Sequence, residues 1–131
     1  MFRTGAVALI VLGVIHLLVF GVDALGYADG WLGGSLWTWD HWWPVADQTL
    51  DLVRSGFAFW STVASCAVPM ILLGALLLWI DGQGLALPRV AMVALALWAL
   101  LLVVLMPPSG FILIAAAALA LLFGQPKGGW A

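Results

Sequence analysis

The chain has 131 residues, of which 66% are hydrophobic and 8% charged, and it carries a net charge of -2 at neutral pH. A single domain of this composition lies outside the range of soluble globular proteins and is expected to be an integral membrane protein. Four scattered cations form no basic patch, so nucleic acid is excluded as a partner.

The one cysteine, Cys66, lies in an apolar run and has no second thiol for an internal disulfide, a redox pair or a metal cage; it is expected to be a small core residue. All six acidic residues are Asp. The intramembrane glutamate on which small proton-coupled drug exporters depend is therefore missing, and that transporter reading loses its chemistry.

In chain order, residues 5–22 form the first apolar segment. At about 1.5 Å per residue it extends about 27 Å, close to the thickness of a hydrocarbon core. Arg3 before an apolar run resembles a secretory signal, but the segment is read as a retained first transmembrane helix. Gly13, His16, Phe20 and Asp23 recur every three or four residues and share one helix face. An ionisable group inside a span costs roughly 2 kcal/mol or more unless it meets a partner or water. Two readings of His16 follow. One is a neutral packing histidine bonded to a backbone carbonyl or to Ser61 or Thr62; the other is a ligand contact in an outward-opening cavity shared with Asp23.

Residues 23–43 are rich in Gly, Asp and Trp, and Gly26, Gly30, Gly33 and Gly34 oppose a long helix. A loop with at most one interfacial turn is expected. Five of the nine tryptophans fall between Trp31 and Trp43. An indole has an apolar body and one N–H donor, so such a cluster suits a membrane–water boundary, with a ligand cage as the alternative. Trp39 and His41 are candidate ligand contacts here. Pro44 is placed to open a helix, in which Asp47, Asp51 and Arg54 recur opposite Leu50, Val53 and Phe57. That pattern predicts a short amphipathic surface helix with an Asp51–Arg54 pair. Alternatively, Arg54 meets a lipid phosphate or an acidic ligand at a pocket mouth.

Residues 57–79 read as a second span opened by Phe57, Phe59 and Trp60, the last a candidate ligand contact. Pro69 is expected to kink it, with Ser65 one turn earlier to satisfy the freed carbonyl. Residues 89–106 form a third span, Pro107-Pro108-Ser109-Gly110 a tight turn, and residues 111–123 a fourth, Ala-rich span that packs inside the bundle or on a partner chain. Residues 124–131 are a polar tail. With four spans, Arg3, Arg89 and Lys127 share one side and Arg54 lies on the other. The positive-inside bias then puts both termini in the cytoplasm and the Trp loop outside.

Imidazole and carboxylate suit a metal such as zinc, but His16, Asp23, Asp40 and His41 match no local ligand spacing, and no metal or cofactor is expected. Ser61, Thr62 and Ser65 lack a paired base in any recognisable motif, so none is assigned as a nucleophile.

Three landmarks carry a resemblance: Gly13-x-x-His16 in the first span, Phe57-x-Phe59-Trp60 opening the second, and Pro107-Pro-Ser-Gly-Phe111 before the fourth. Together they resemble a family of small bacterial four-helix membrane proteins catalogued as a domain of unknown function. The resemblance spans nearly the whole chain and implies the four-span layout, with no activity attached. A looser likeness is to DoxX-like four-helix proteins, some of which serve quinone-linked redox systems. Likeness to the porphyrin-binding tryptophan-rich sensory proteins is one of composition alone.

The expectation is thus an all-α, integral-membrane four-helix bundle of the bacterial inner membrane, acting as a binding or accessory subunit. Its pocket or docking surface would use His16, Asp23, Trp39, His41, Arg54 and Trp60. Expected partners are a membrane lipid or other apolar small molecule, a larger membrane complex, or a second copy. One rival is a small membrane enzyme with His16 as general acid or base and Asp23 or Arg54 as electrostatic partner. The other is a purely structural subunit.

Overall fold

The computed structural model describes residues 1–85, 87–106 and 109–124. Among these, all regular structure is helical. The elements are α1 (Phe2–Ala24), a 3-10 turn (Leu25–Tyr27), α2 (Ala28–Leu32), 3-10 turns at Trp39–Trp42 and Val45–Asp47, α3 (Leu50–Ser61), α4 (Ala67–Gly82), α5 (Arg89–Leu105) and α6 (Phe111–Gly124). Pro107 and Pro108 of the expected tight turn, and Lys127 with the rest of the tail after Gly124, lie outside the described residues. The helical run Phe2–Leu32 is long and apolar enough to cross a membrane, yet only 22% of its apolar window is buried. Helices α4, α5 and α6 are apolar but shorter.

The chain divides into two compact units, Met1–Gly13 with Pro69–Ala131, and Val14–Val68. The first unit is built on close helix approach. A Cβ added at Gly5 would stand 2.7 Å from the Ala117 carbonyl oxygen, and one at Gly74 would stand 2.6 Å from the Ala6 carbonyl oxygen. Only a residue without a side chain lets α1 lie this near to α6 and α4. Ala96, Ala99, Ala117 and Ala118 are buried around the fully covered Leu9, Leu77 and Leu121. Small residues on α5 and α6 thus set the spacing, and a few leucines fill it. Arg3 Nε donates to Asp81 Oδ2 at 2.6 Å, joining the start of α1 to the end of α4 and marking the pair as antiparallel. Gly84, at φ +68°, then stops α4: the Leu85 N–H donates to the Ile80 carbonyl and the Gly84 N–H to that of Asp81, a Schellman closure.

The second unit departs from the expected layout in three places. Residues 57–79, read as one kinked span, are the end of α3 and the whole first part of α4, separated by a non-helical break at residues 62–66. Pro69 therefore sits in the first turn of α4, where its missing N–H has no carbonyl to meet, and does not kink a helix interior. Ser65 does not serve Pro69 either. Its hydroxyl donates to the Thr62 carbonyl at 2.7 Å and accepts from the Ala67 N–H at 3.3 Å, which starts α4. Cys66 lies in this break and is exposed, so it is not the core residue expected. The amphipathic helix begins at Leu50 rather than Pro44. Thr49 is its N-cap, accepting from the Leu52 N–H at 3.3 Å, while Pro44 leads into a 3-10 turn. Residues 28–32, expected as loop, form α2, ended by a Schellman closure from Ser35 N–H to the Gly30 carbonyl with Gly34 at φ +83°.

Candidate functional site

Within the second unit, the last turns of α1 and one face of α3 enclose a cleft of about 540 Å³. Phe20, Asp23 and Tyr27 recur every three or four residues on one side; Val53, Arg54, Phe57, Ala58 and Ser61 line the other. The volume falls in the range of small-molecule sites, and the lining has their usual make-up, apolar walls with a few polar groups. Among the described residues no ion pair joins Asp23 to Arg54, nor Asp51 to Arg54 as the sequence suggested. Both charges therefore border an apolar space without neutralising each other.

His16 stands just outside that lining. Its Nε2 lies 3.0 Å from the Ser61 carbonyl, which can only accept, so Nε2 carries the proton. Its ring also leans on Phe20, with centroids 4.7 Å apart and planes at 41°. His16 is thus a donor to the end of α3 that steadies one wall of the cleft.

The other anticipated contacts are elsewhere. Trp39 is 82% exposed and Trp60 67% exposed, and neither lines the cleft. His41 packs over Gly56, its Nε2 3.9 Å from where a Cβ would stand, and both ring nitrogens are shielded without a hydrogen-bond partner among the described residues. His16, Asp23, Asp40 and His41 do not form a metal centre: among the described residues no three His, Cys, Asp or Glu groups converge closely enough.

The tryptophans divide into two kinds. Trp31 is half-buried, donates from Nε1 to Ser55 Oγ at 2.9 Å, stacks beside Tyr27 and meets Phe59 edge-on at 5.5 Å. Trp37, Trp39, Trp42 and Trp43 are exposed. Gln48 ties their loop down, donating to the Trp43 carbonyl at 2.7 Å and to the His41 carbonyl at 3.3 Å. Tyr27 and Ser55 were not singled out from sequence. A lone tyrosine and a helix serine carry no spacing signal; the place of Tyr27 in the cleft wall and the pairing of Ser55 with Trp31 come only from the fold.

Fold and site together define a small all-helical protein with an apolar cleft bordered by one carboxylate and one guanidinium. The chain belongs to a family of unknown function, DUF6463, whose family model matches it over residues 2–128. No curated protein and no solved structure matches it significantly.

Proposed function

We propose that the chain is a four-span membrane protein, with α1, the α3–α4 segment, α5 and α6 crossing the bilayer, both ends cytoplasmic and the Trp loop outside. A helix that is apolar all round belongs in a large core or in lipid. The run Phe2–Leu32 is apolar and mostly unburied, which supports lipid. Large apolar side chains such as Leu18, Val22, Leu97 and Val104 are exposed, in keeping with an acyl-chain surround. In such a setting the carbonyls freed where α3 ends need partners within the protein, and His16, Thr62 and Ser65 donate to those of Ser61, Ala58 and Thr62.

The function this favours is a binding or accessory subunit that holds one lipid-like or quinone-like molecule. The observation that carries it is the cleft between α1 and α3, apolar in its walls and edged by Asp23 and Arg54, neither of which has an ion-pair partner among the described residues. An acyl or isoprenoid chain would lie against Phe20, Val53 and Phe57. A phosphate, carboxylate or carbonyl head would meet Arg54, whose planar guanidinium offers several donors at once. The binder is preferred to an enzyme because His16 already donates its Nε2 proton to Ser61 and is outside the cleft lining.

The test is mass spectrometry of lipids and quinones retained by protein purified in mild detergent. Arg54→Ala is expected to lower retention of one species about ten- to hundredfold, the loss of a charge-assisted hydrogen bond. Phe57→Ala should lower it as well. Equal retention in both variants would overturn the reading.

A further inference from the structure

The loop from Trp37 to Trp43 turns its indoles outward while its backbone is pinned down. Trp39 and Trp42 stand three residues apart in a 3-10 turn, where side chains at that spacing line up on one face. Between them in the chain, His41 packs over Gly56 of α3, and Gln48 donates to the His41 and Trp43 carbonyls. The exposure of Trp37, Trp39, Trp42 and Trp43 therefore belongs to a braced surface. Among the described residues, none of these four indole N–H groups has a hydrogen-bond partner within the protein, whereas that of Trp31 is taken by Ser55.

What covers this surface follows from its neighbours in the same unit. The loop comes directly after the apolar, mostly unburied run Phe2–Leu32, in which Leu18, Val19, Val22 and Leu32 are exposed. Asp29, Asp40 and Asp47 are exposed as well, and between Arg3 and Arg54 there are five Asp and no Lys or Arg. Carboxylates are costly to bring into hydrocarbon, so they limit how deep the indoles can go. The head-group zone of a bilayer takes indole rings, offers oxygen acceptors to their N–H groups and leaves neighbouring carboxylates in water. An anionic leaflet would repel a segment of this charge, so the fitting heads are zwitterionic. From this arrangement we infer that Trp37, Trp39, Trp42 and Trp43 seat the loop in the head-group zone of a zwitterionic bilayer leaflet, while Trp31 stays on the protein. The inference rests on the reading of the chain as a membrane protein, and adds which indoles meet lipid and at what depth.

Fluorescence of the full chain in phosphatidylcholine vesicles tests it, set against a variant carrying Trp37→Phe, Trp39→Phe, Trp42→Phe and Trp43→Phe together. The four rings are exposed, so the variant should keep its circular dichroism spectrum, and the difference between the two proteins is the emission of the loop. That emission is expected to be blue-shifted from free tryptophan. It should lose more intensity to lipid brominated near the head of the acyl chain than to lipid brominated near its middle. Mixing in phosphatidylglycerol at low salt should weaken this loss; an undiminished loss would overturn the assignment to zwitterionic heads. The tryptophans left in the variant, Trp98 of α5 among them, report separately on burial of the helices in lipid. Their quenching beside an unquenched loop would overturn the inference alone, and no quenching in either protein would overturn the membrane reading with it. Loop quenching with none in the variant would keep the inference and overturn the four-span layout. A loop shielded from acrylamide yet untouched by bromine is covered by another protein chain, and a loop quenched best from the middle of the acyl chain lies too deep; either result would overturn the inference.

Discussion

His16 on α1 donates from Nε2 to the Ser61 carbonyl, the last of α3, across 3.0 Å. A helix leaves its final four carbonyls without internal partners. Here Thr62 Oγ1 donates to Ala58 at 2.6 Å, the Thr62 and Ala64 N–H groups donate to Phe59, and His16 takes Ser61. A side chain from a distant helix thus caps the last carbonyl of α3, where the chain turns before α4.

His16→Ala should therefore act on stability. Leaving a half-buried carbonyl unpaired costs about 1–3 kcal/mol. Thermal unfolding in detergent should show that loss, and His16→Gln, which keeps a donor, should recover part of it. Unchanged stability in the Ala variant, with loss of a bound lipid or quinone, would instead make His16 a ligand contact.

Two glycines of α1 and α4 give an internal comparison. Gly74→Ala drives a methyl group against the Ala6 backbone and should cost about 1–3 kcal/mol. Gly21→Ala meets nothing within 4 Å, and it should be neutral or stabilising by up to about 1 kcal/mol through helix propensity. Denaturant titrations of both variants check this; equal effects would contradict the close packing of α4 on α1.

The indole of Trp31 and the hydroxyl of Ser55 should be energetically coupled. Trp31→Phe keeps an aromatic ring but removes the donor, and Ser55→Ala removes the acceptor. A double-mutant cycle is expected to return a coupling of about 0.5–1.5 kcal/mol. Trp37→Phe, at an 89% exposed position, should have no measurable effect on unfolding. A coupling near zero would remove Trp31 from the packed part of the loop.

Pro69→Ala discriminates between a broken and a continuous helical segment. In the first turn of α4, proline obstructs nothing, and replacement should change stability by less than about 1 kcal/mol. Were residues 57–79 one helix, removing an interior proline would relieve up to about 3 kcal/mol. Thermal unfolding, with helix content by circular dichroism, reads the difference.

Much of the helical layout is legible in the sequence. Helices α5 and α6 begin and end within a residue of the expected 89–106 and 111–123, because uninterrupted apolar runs bounded by proline and glycine have few other readings. The first segment, expected at 5–22, extends to Phe2–Ala24, its apolar run again giving the helix away. His16 was legible as a residue requiring a partner, and both Ser61 and a backbone carbonyl were among those anticipated. The break at residues 62–66 was not legible. An apolar run looks alike whether it forms one helix or two, and here the outcome turns on donors that Thr62, Ser65 and the distant His16 bring together.

What the sequence determined by itself is the three apolar helices α1, α5 and α6, since hydrophobic runs, their lengths and the residues that bound them are local properties. Which tryptophan packs and which stays exposed, where the second apolar run breaks, and which residues face the cleft were decided by tertiary structure. Each depends on a contact between residues far apart in the chain: Trp31 with Ser55, His16 with Ser61, and Phe20 and Asp23 opposite Val53 and Arg54. Composition and periodicity say that such residues need partners, but only the packing of one helix against another selects which partner each one meets.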